Sequence, residues 1–241
     1  MPFRNFTLKE FAKTLGLNLR RVEKMAQRNE LPAERIGGQW RFNKVKVIDW
    51  YNHNIHTIDD DHLKGLEEAM GKVVVDSNAD EELKHMVVTE LMTVSSIELN
   101  FGAKTKASVI REMVKLVDRT GLLYDSEGLR DALLEREEMC STAIANGVAI
   151  PHPRRPLEYA TAEPIVCFAR VDRGIPFGAT DGKMTQLFFL IACLDDSHHL
   201  HVLSRLARLL TPETIKFLKE VECPDEALEY LIKCEKHISE I

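Results

Sequence analysis

No stretch of this 241-residue sequence approaches the roughly eighteen consecutive apolar residues that a membrane-spanning helix requires. The residues after Met1 contain no apolar core of the secretory kind, so no signal peptide is expected. The five cysteines (Cys140, Cys167, Cys193, Cys223 and Cys234) are scattered, odd in number and never spaced Cys-x-x-Cys. Neither a disulfide framework nor a thiolate zinc site is indicated, and a reducing, cytoplasmic setting fits. The Gly-x-x-x-x-Gly-Lys-Ser/Thr pattern of nucleotide-phosphate loops is missing as well. Without internal repeats or low-complexity tracts, the length suits one or two globular domains.

Charge is unevenly spread. Residues 1–53 hold 11 Lys/Arg against 5 Asp/Glu, a net of +6, while the remainder holds 21 against 33, a net of −12. Halves of opposite sign suggest a basic domain with a nucleic-acid partner and an acidic domain with another task. We therefore expect three segments: a DNA-binding domain over 1–53, a partly helical linker over 54–87 and an α/β domain over 88–241.

Within the basic segment, Phe6, Leu8, Phe11, Ala12, Leu15 and Leu17 repeat with helical spacing, and Thr7 followed by Glu10 is a capping-box pattern. Gly16 supplies a turn. Asn18 can cap a second helix over 19–28, with Val22, Met25 and Ala26 inward and Arg20, Arg21, Lys24, Gln27 and Arg28 outward. Two short helices about a glycine turn form a helix-turn-helix, whose second helix enters the major groove. Beyond Pro32, alternation around Gly37-Gly38 predicts a hairpin over 35–42. A helix over 43–52 would close the unit through Val45, Val47, Ile48 and Trp50. Trp40 and Phe42 are expected to pack the hairpin. Duplex DNA is the expected partner, with Arg20, Arg21, Lys24 and Arg28 on the helix and Arg35 and Arg41 on the hairpin as candidate contacts. A merely solvated face is the alternative, since Glu23 shares it. Leu31-Pro32-Ala33, then Arg35, Gly37, Gly38, Arg41 and Phe42, resembles the excisionase/MerR-type winged helix-turn-helix over about residues 5–52.

The linker offers Leu63, Leu66 and Met70 on one helical face and Val73-Val74-Val75 as a short strand. A dimerisation helix and a helix packed on its own chain are equally open, so a homodimer remains an option.

In the acidic segment we expect strands over 97–101, 148–150, 165–171 and 187–194, and helices over 107–119, 127–136, 199–210, 212–221 and 225–234. The nearly all-apolar strands read as buried on both faces, and helices would flank the sheet. The run Val148-Ala149-Ile150 ends at Pro151, which cannot donate to a strand ladder, so His152 falls at a strand end. Arg154 and Arg155 follow. A histidine beside guanidinium groups suits a phosphoryl group better than a metal. His198, His199 and His201 do not converge on a helix as zinc ligands would, so no metal site is expected. His198 and His201 are expected at the surface.

Ser141-Thr142-Ala143-Ile144-Ala145-Asn146-Gly147-Val148-Ala149-Ile150-Pro151-His152 resembles the signature of the fructose/mannitol-type EIIA domains of the bacterial phosphotransferase system, most of all the nitrogen-regulatory branch. Arg136, Asp181-Gly182 before Leu187-Phe188-Phe189-Leu190-Ile191, and His199-Leu200-His201-Val202-Leu203 extend the likeness over roughly residues 88–241. Ala143 and Ala145 stand where that family has glycines, which would stiffen or shift the loop. The resemblance implies a three-layer domain with a mixed sheet, and phosphorylation at His152. Arg136 and His199 would be active-site partners, and Thr142 and Arg154 candidate contacts to the phosphoryl oxygens. As an alternative for Arg136, an exposed helix residue paired with Glu137 or Asp131 stays open. The implied partner is a phosphohistidine donor such as HPr, with no cofactor and no membrane. The expected function is a phosphorylation-responsive DNA-binding regulator. The alternative is a transport component passing phosphate to an EIIB domain or another target.

Overall fold

Short elements capped by their own side chains build the N-terminal unit of this structure, a computed structural model that describes residues 5–14, 18–43, 46–47, 50–51, 54 and 87–240. The chain divides into two units, Met1–His85 and Met86–Ile241. In the first, strand β1 (Asn5–Thr7) leads into helix α1 (Leu8–Thr14). The Thr7 N–H donates to Glu10 Oε2 at 2.8 Å and the Glu10 N–H to Thr7 Oγ1 at 3.2 Å, a reciprocal cap. Helix α2 (Leu19–Gln27) begins at Asn18, whose side chain accepts from the Arg20 N–H at 2.9 Å. It ends in a Schellman motif. Asn29 takes the left-handed conformation, φ 56°, while the Glu30 N–H reaches the Met25 carbonyl and the Asn29 N–H the Ala26 carbonyl.

β2 (Ala33–Ile36) and β3 (Gln39–Asn43) form the expected hairpin. Gly37 and Gly38 both have positive φ, 59° and 79°, as the turn between twisted strands demands. β1 adds a third antiparallel strand along β3; at three residues it is too short to leave an alternation in the sequence. Phe42 is buried and stacks on Phe11 with ring centroids 4.1 Å apart, which joins hairpin to helix. Trp40 is half-buried beneath the Arg35 guanidinium. Of the closing helix expected over 43–52, Val47 and Tyr51 are buried and Trp50 half-buried. Gly16, Val45, Ile48 and the linker features at 63–75 lie outside the described residues.

The second unit is a five-stranded mixed sheet in the order β4-β7-β8-β6-β5, where β4 is Ile97–Glu98, β5 Ala143–Ile144, β6 Val148–Ala149, β7 Ile165–Ile175 and β8 Thr185–Ala192. β7 and β8 are antiparallel, and Phe168 stacks on its register partner Phe189 at 4.7 Å. β4 runs parallel to β7, β6 parallel to β8, and β5 antiparallel to β6.

Alternation along β7 and β8 sends Cys167, Ala169, Phe188 and Leu190 to one face. There they meet α3 (Lys106–Asp118) and α4 (Ser126–Met139) through Val109, Ile110, Met113, Leu129 and Leu133. On the other face α5 (Asp196–Leu209) and α6 (Pro212–Glu220) pack on β8, and α7 (Pro224–Glu240) covers both. Leu187, Phe189 and Ile191 face that layer, fully buried. Each large side chain so enclosed contributes roughly 1.5–3 kcal/mol. Burial also pushes the Cys167 thiol up to about 12, and all five cysteines are free. Among the described residues no helix is long and apolar enough to cross a membrane.

Residues 97–101 do not form the strand expected over their whole length. The ladder with β7 covers only Ile97 and Glu98, and the Phe101 N–H then reaches across to the Arg170 carbonyl. β7 outruns its expected end because a register break after Arg170 lets Ile175 rejoin β8 at Thr185.

The first turn of the second unit is held by its last helix. The buried carboxylate of Glu235 accepts the Val88 N–H at 2.7 Å and the Thr89 N–H at 2.8 Å, and Arg205 Nε donates to it at 2.8 Å. Removing one member of such a pair strands the other. Glu235→Ala should therefore destabilise this unit by about 3–5 kcal/mol. Urea unfolding of the full chain, followed by a probe in residues 87–240, measures it.

Candidate functional site

β6 and β8 are parallel, so their carboxyl ends lie at one edge of the sheet. His152 follows β6 there, and His199 lies in the first turn of α5, the helix that follows β8. The position is fixed by backbone: the Ile191 N–H donates to the Pro151 carbonyl at 3.0 Å and the Ile150 N–H to the Thr142 carbonyl at 3.0 Å. The two imidazoles lie 5.0 Å apart, tilted by 50°, and each is 2% exposed.

His152 Nδ1 is 2.7 Å from the Ile150 carbonyl. A carbonyl only accepts, so Nδ1 carries the proton and the lone pair of the neutral ring sits on Nε2. In His199, burial above all pushes the imidazole down to about 4. The Arg136 charge adds to the depression, while Asp196 and Asp195 oppose it. His199 is therefore neutral at ordinary pH, and its buried Nε2 makes no hydrogen bond.

Arg136 comes from the last turn of α4. It is 3% exposed, not a surface residue paired with Glu137 or Asp131. Its Nη1 donates to the Cys140 carbonyl at 2.7 Å, and its buried Nη2 has no hydrogen-bond partner. A buried guanidinium with an unspent donor is an anion-receptive group. Thr142 is buried too, but its hydroxyl donates to Glu137 Oε2 at 2.6 Å, so its proton is already committed. Arg154 is half-buried two residues beyond His152, and Arg155 is exposed.

His201, expected at the surface, is buried. α5 is covered by β8 on one side and α7 on the other, which encloses residues 199–206 almost completely. His198 is half-buried, and its Nδ1 pairs with Asp195 Oδ2. Among the described residues no group of three His, Cys, Asp or Glu side chains could hold a metal ion.

The loop before His152 is a two-residue-per-strand hairpin. Ala143 and Ala145 have ordinary negative φ, so a side chain there introduces no strain; the left-handed positions are Asn146 and Gly147, φ 67° and 81°. A Cβ on Gly147 would also come within 3.1 Å of the Met184 carbonyl. Asp181 accepts the Asn146 N–H at 3.1 Å and Lys219 Nζ donates to the Asn146 carbonyl at 3.0 Å, which pins this turn. The sequence offers Glu137 only as a partner for Arg136, and does not single out Lys106. Lys106 Nζ donates to Glu137 Oε1 at 2.8 Å across 31 residues of sequence.

In the first unit, Arg20, Arg21, Lys24 and Arg28 are all exposed along α2, with Glu23 half-buried between them. Arg35 lies over the Trp40 ring at 5.3 Å. Arg41 donates to Gln39 Oε1 at 2.8 Å and to the Trp40 carbonyl at 3.2 Å. The helix presents four exposed cations, of which Arg28 stands 3.7 Å from Glu30, while the hairpin arginines are already engaged within the hairpin.

Comparison with known proteins gives two matches. Residues 90–234 match the family described as phosphoenolpyruvate-dependent sugar phosphotransferase system, EIIA 2, and residues 6–54 match a helix-turn-helix domain. The chain is 37% identical over 154 residues to the fructose-specific EIIABC component of Bacillus subtilis, covering 63% of this chain but only 24% of that protein. It is 35% identical over 136 residues to the fructose-specific EIIA component of Haloferax volcanii, covering 54% of this chain and 86% of that one. The crystal structure of nitrogen regulatory protein IIA-Ntr from Neisseria meningitidis superimposes with a TM-score of 0.54 at 26% identity, over 60% of this chain and 98% of that one.

The neutral state of His199 has a consequence for acid stability. Its folded pKa, about 4, lies below the ordinary value of 6.5, so between those values the unfolded chain binds more protons. The stabilisation from a neutral His199 is complete above pH 6.5 and is lost as pH falls toward 4. His199→Gln should flatten this part of the acid loss, measured as the difference in urea midpoint between pH 7 and pH 4.5 in the two proteins.

Proposed function

From its membership of the phosphotransferase EIIA 2 family, to which the chain belongs through residues 90–234, we propose that His152 accepts a phosphoryl group from a phosphohistidine carrier protein. We propose further that the helix-turn-helix domain ahead of it binds duplex DNA. The observation that carries the first part is the buried His152–His199–Arg136 set, with His152 Nδ1 tied to the Ile150 carbonyl.

The chemistry follows from that arrangement. The Nε2 lone pair attacks phosphorus, the donor's P–N bond breaks, and its electron pair returns to the donor imidazole. The Nδ1 proton stays on the ring throughout, donated to the Ile150 carbonyl. Little covalent help is needed; positioning and charge balance do most of the work. Arg136 Nη2 balances the oxygens, and His199, neutral, donates to them from Nε2–H. The modified histidine carries up to about two negative charges, and in a regulator that change alters the binding of DNA or of a third protein.

The second reading, transfer onward to an EIIB domain, draws on the likeness to the fructose-specific proteins. One labelling experiment addresses both. With a phosphohistidine donor system, the protein should take up acid-labile phosphate, His152→Ala should take up none, and His199→Ala should be slowed by roughly a hundred- to a thousandfold. Label retained by His152→Ala would sink the assignment. A chase with fructose-type EIIB domain that drains the label favours the transport reading.

DNA binding by the full chain should fall as salt rises. Arg21→Ala, on the exposed face of α2, should weaken binding to mixed duplex and lower the log–log salt slope by about one. Fluorescence anisotropy at several salt concentrations measures this, and an unchanged slope would remove Arg21 from the interface.

A further inference from the structure

We propose that Lys106 and Glu137 form an insulating ion pair whose task is to keep the neighbouring Arg136 guanidinium available to an incoming anion. The inference rests on the phosphoryl-acceptor reading of the site, and it makes Lys106 and Glu137 positioning residues.

Arg136 and Glu137 are adjacent in the last turn of α4, and both are buried, at 3% and 5% exposure. Both side chains turn to the same short segment. Arg136 Nη1 holds the Cys140 carbonyl, while Glu137 Oε2 accepts the Thr142 N–H at 3.0 Å and the Thr142 hydroxyl at 2.6 Å. A buried carboxylate beside a buried guanidinium ordinarily takes it in a forked pair, because neither tolerates burial alone. Such a pair here would neutralise a buried cation the site needs.

The structure avoids it by filling Glu137 with other donors. Oε2 is taken by Thr142, and Oε1 by Lys106 Nζ at 2.8 Å. The carboxylate is compensated without Arg136, and Arg136 Nη2 stays unspent.

Lys106 also stands where helix physics disfavours it. It is the first residue of α3, at the positive end of the helix dipole. Glu137 offsets that cost, and so does the Phe177 ring, whose centroid lies 4.9 Å from Nζ. Phe177 is fixed in turn, its carbonyl accepting from Ser141 Oγ at 2.6 Å. Lysine and glutamate cancel, and Arg136 keeps its own positive charge beside the two histidines.

Charge cancellation separates this role from simple packing. In Lys106→Gln the buried Glu137 loses its cation and recruits Arg136. Phosphoryl transfer should fall on the order of tenfold or more, and the Arg136 Nε–Hε signal in NMR spectra should move. In Lys106→Gln/Glu137→Gln the carboxylate is gone, while glutamine still accepts from Thr142. Rate and signal should then return to within about threefold of wild type and to the wild-type position, respectively. A double variant no better than Lys106→Gln, or an Arg136 signal that Lys106→Gln leaves in place, would overturn the proposal. Should Lys106→Gln fail to fold, Lys106→Arg takes its place: it keeps a cation on Glu137, so the Arg136 signal must stay put, and a displaced signal overturns the proposal. If the wild-type protein takes up no phosphate, the acceptor reading fails, while the NMR comparison still decides the pairing.

Discussion

Two residue pairs of parallel ladder, Val148 with Leu187 and Ala149 with Phe188, set the geometry on which the site depends. Because β6 and β8 point the same way, the chain leaving each of them emerges at the same edge. One exit carries Pro151 and His152; the other turns through Asp195 into α5 and brings His199. Had the two strands been antiparallel, the imidazoles would have stood at opposite edges of the sheet. So short a ladder cannot hold itself, and the neighbouring contacts show what does. The Ile191 N–H extends it to Pro151, β5 covers the outer side of β6, and the buried β7–β8 pair stiffens the inner side. This is the familiar preference of α/β sheets for placing chemistry beyond the carboxyl ends of parallel strands.

What the sequence made legible was chiefly local. The Thr7–Glu10 cap, the Asn18 cap and the Gly37-Gly38 hairpin each depend on residues a few positions apart, and each is present. The apolar run at 187–194 announced a buried strand because no neighbour could make it amphipathic; its start moves to 185 where Thr185 pairs with Ile175, and it ends at 192 ahead of α5. His152 was readable because proline, histidine and two arginines stand together. The Lys106–Glu137 pair was not, since nothing links two ordinary charges 31 residues apart until α3 and α4 pack. The burial of His201 was equally hidden: a histidine in a helix reads as exposed until a second layer, α7, covers its far side. β1 and β5, at three and two residues, are below the length at which alternation is visible.

The charges divide by role. On α2, cations stand in solvent on one face, where they are screened and mutually replaceable. In the larger unit the important ones are few, and each is assigned: half-buried Lys106 to Glu137, and the enclosed Arg205 to Glu235 and Arg136 to the Cys140 carbonyl with its second terminal nitrogen left over. An exposed arginine acts through the sum of its neighbours' fields. A buried one acts through specific atoms, so single substitutions there are felt fully.

The grip of Glu235 on the Val88 and Thr89 amides decides how force enters the larger unit. Tension applied along the chain ahead of residue 87 meets two charge-assisted hydrogen bonds before it meets any strand. It is passed to α7 and, through Arg205, to α5, whereas β4 lies further along the chain. A pull from the N-terminal side therefore loads the helical layer before it reaches the sheet. The same layer carries His199, so the chain's point of entry and the edge that holds the two histidines share one mechanical element.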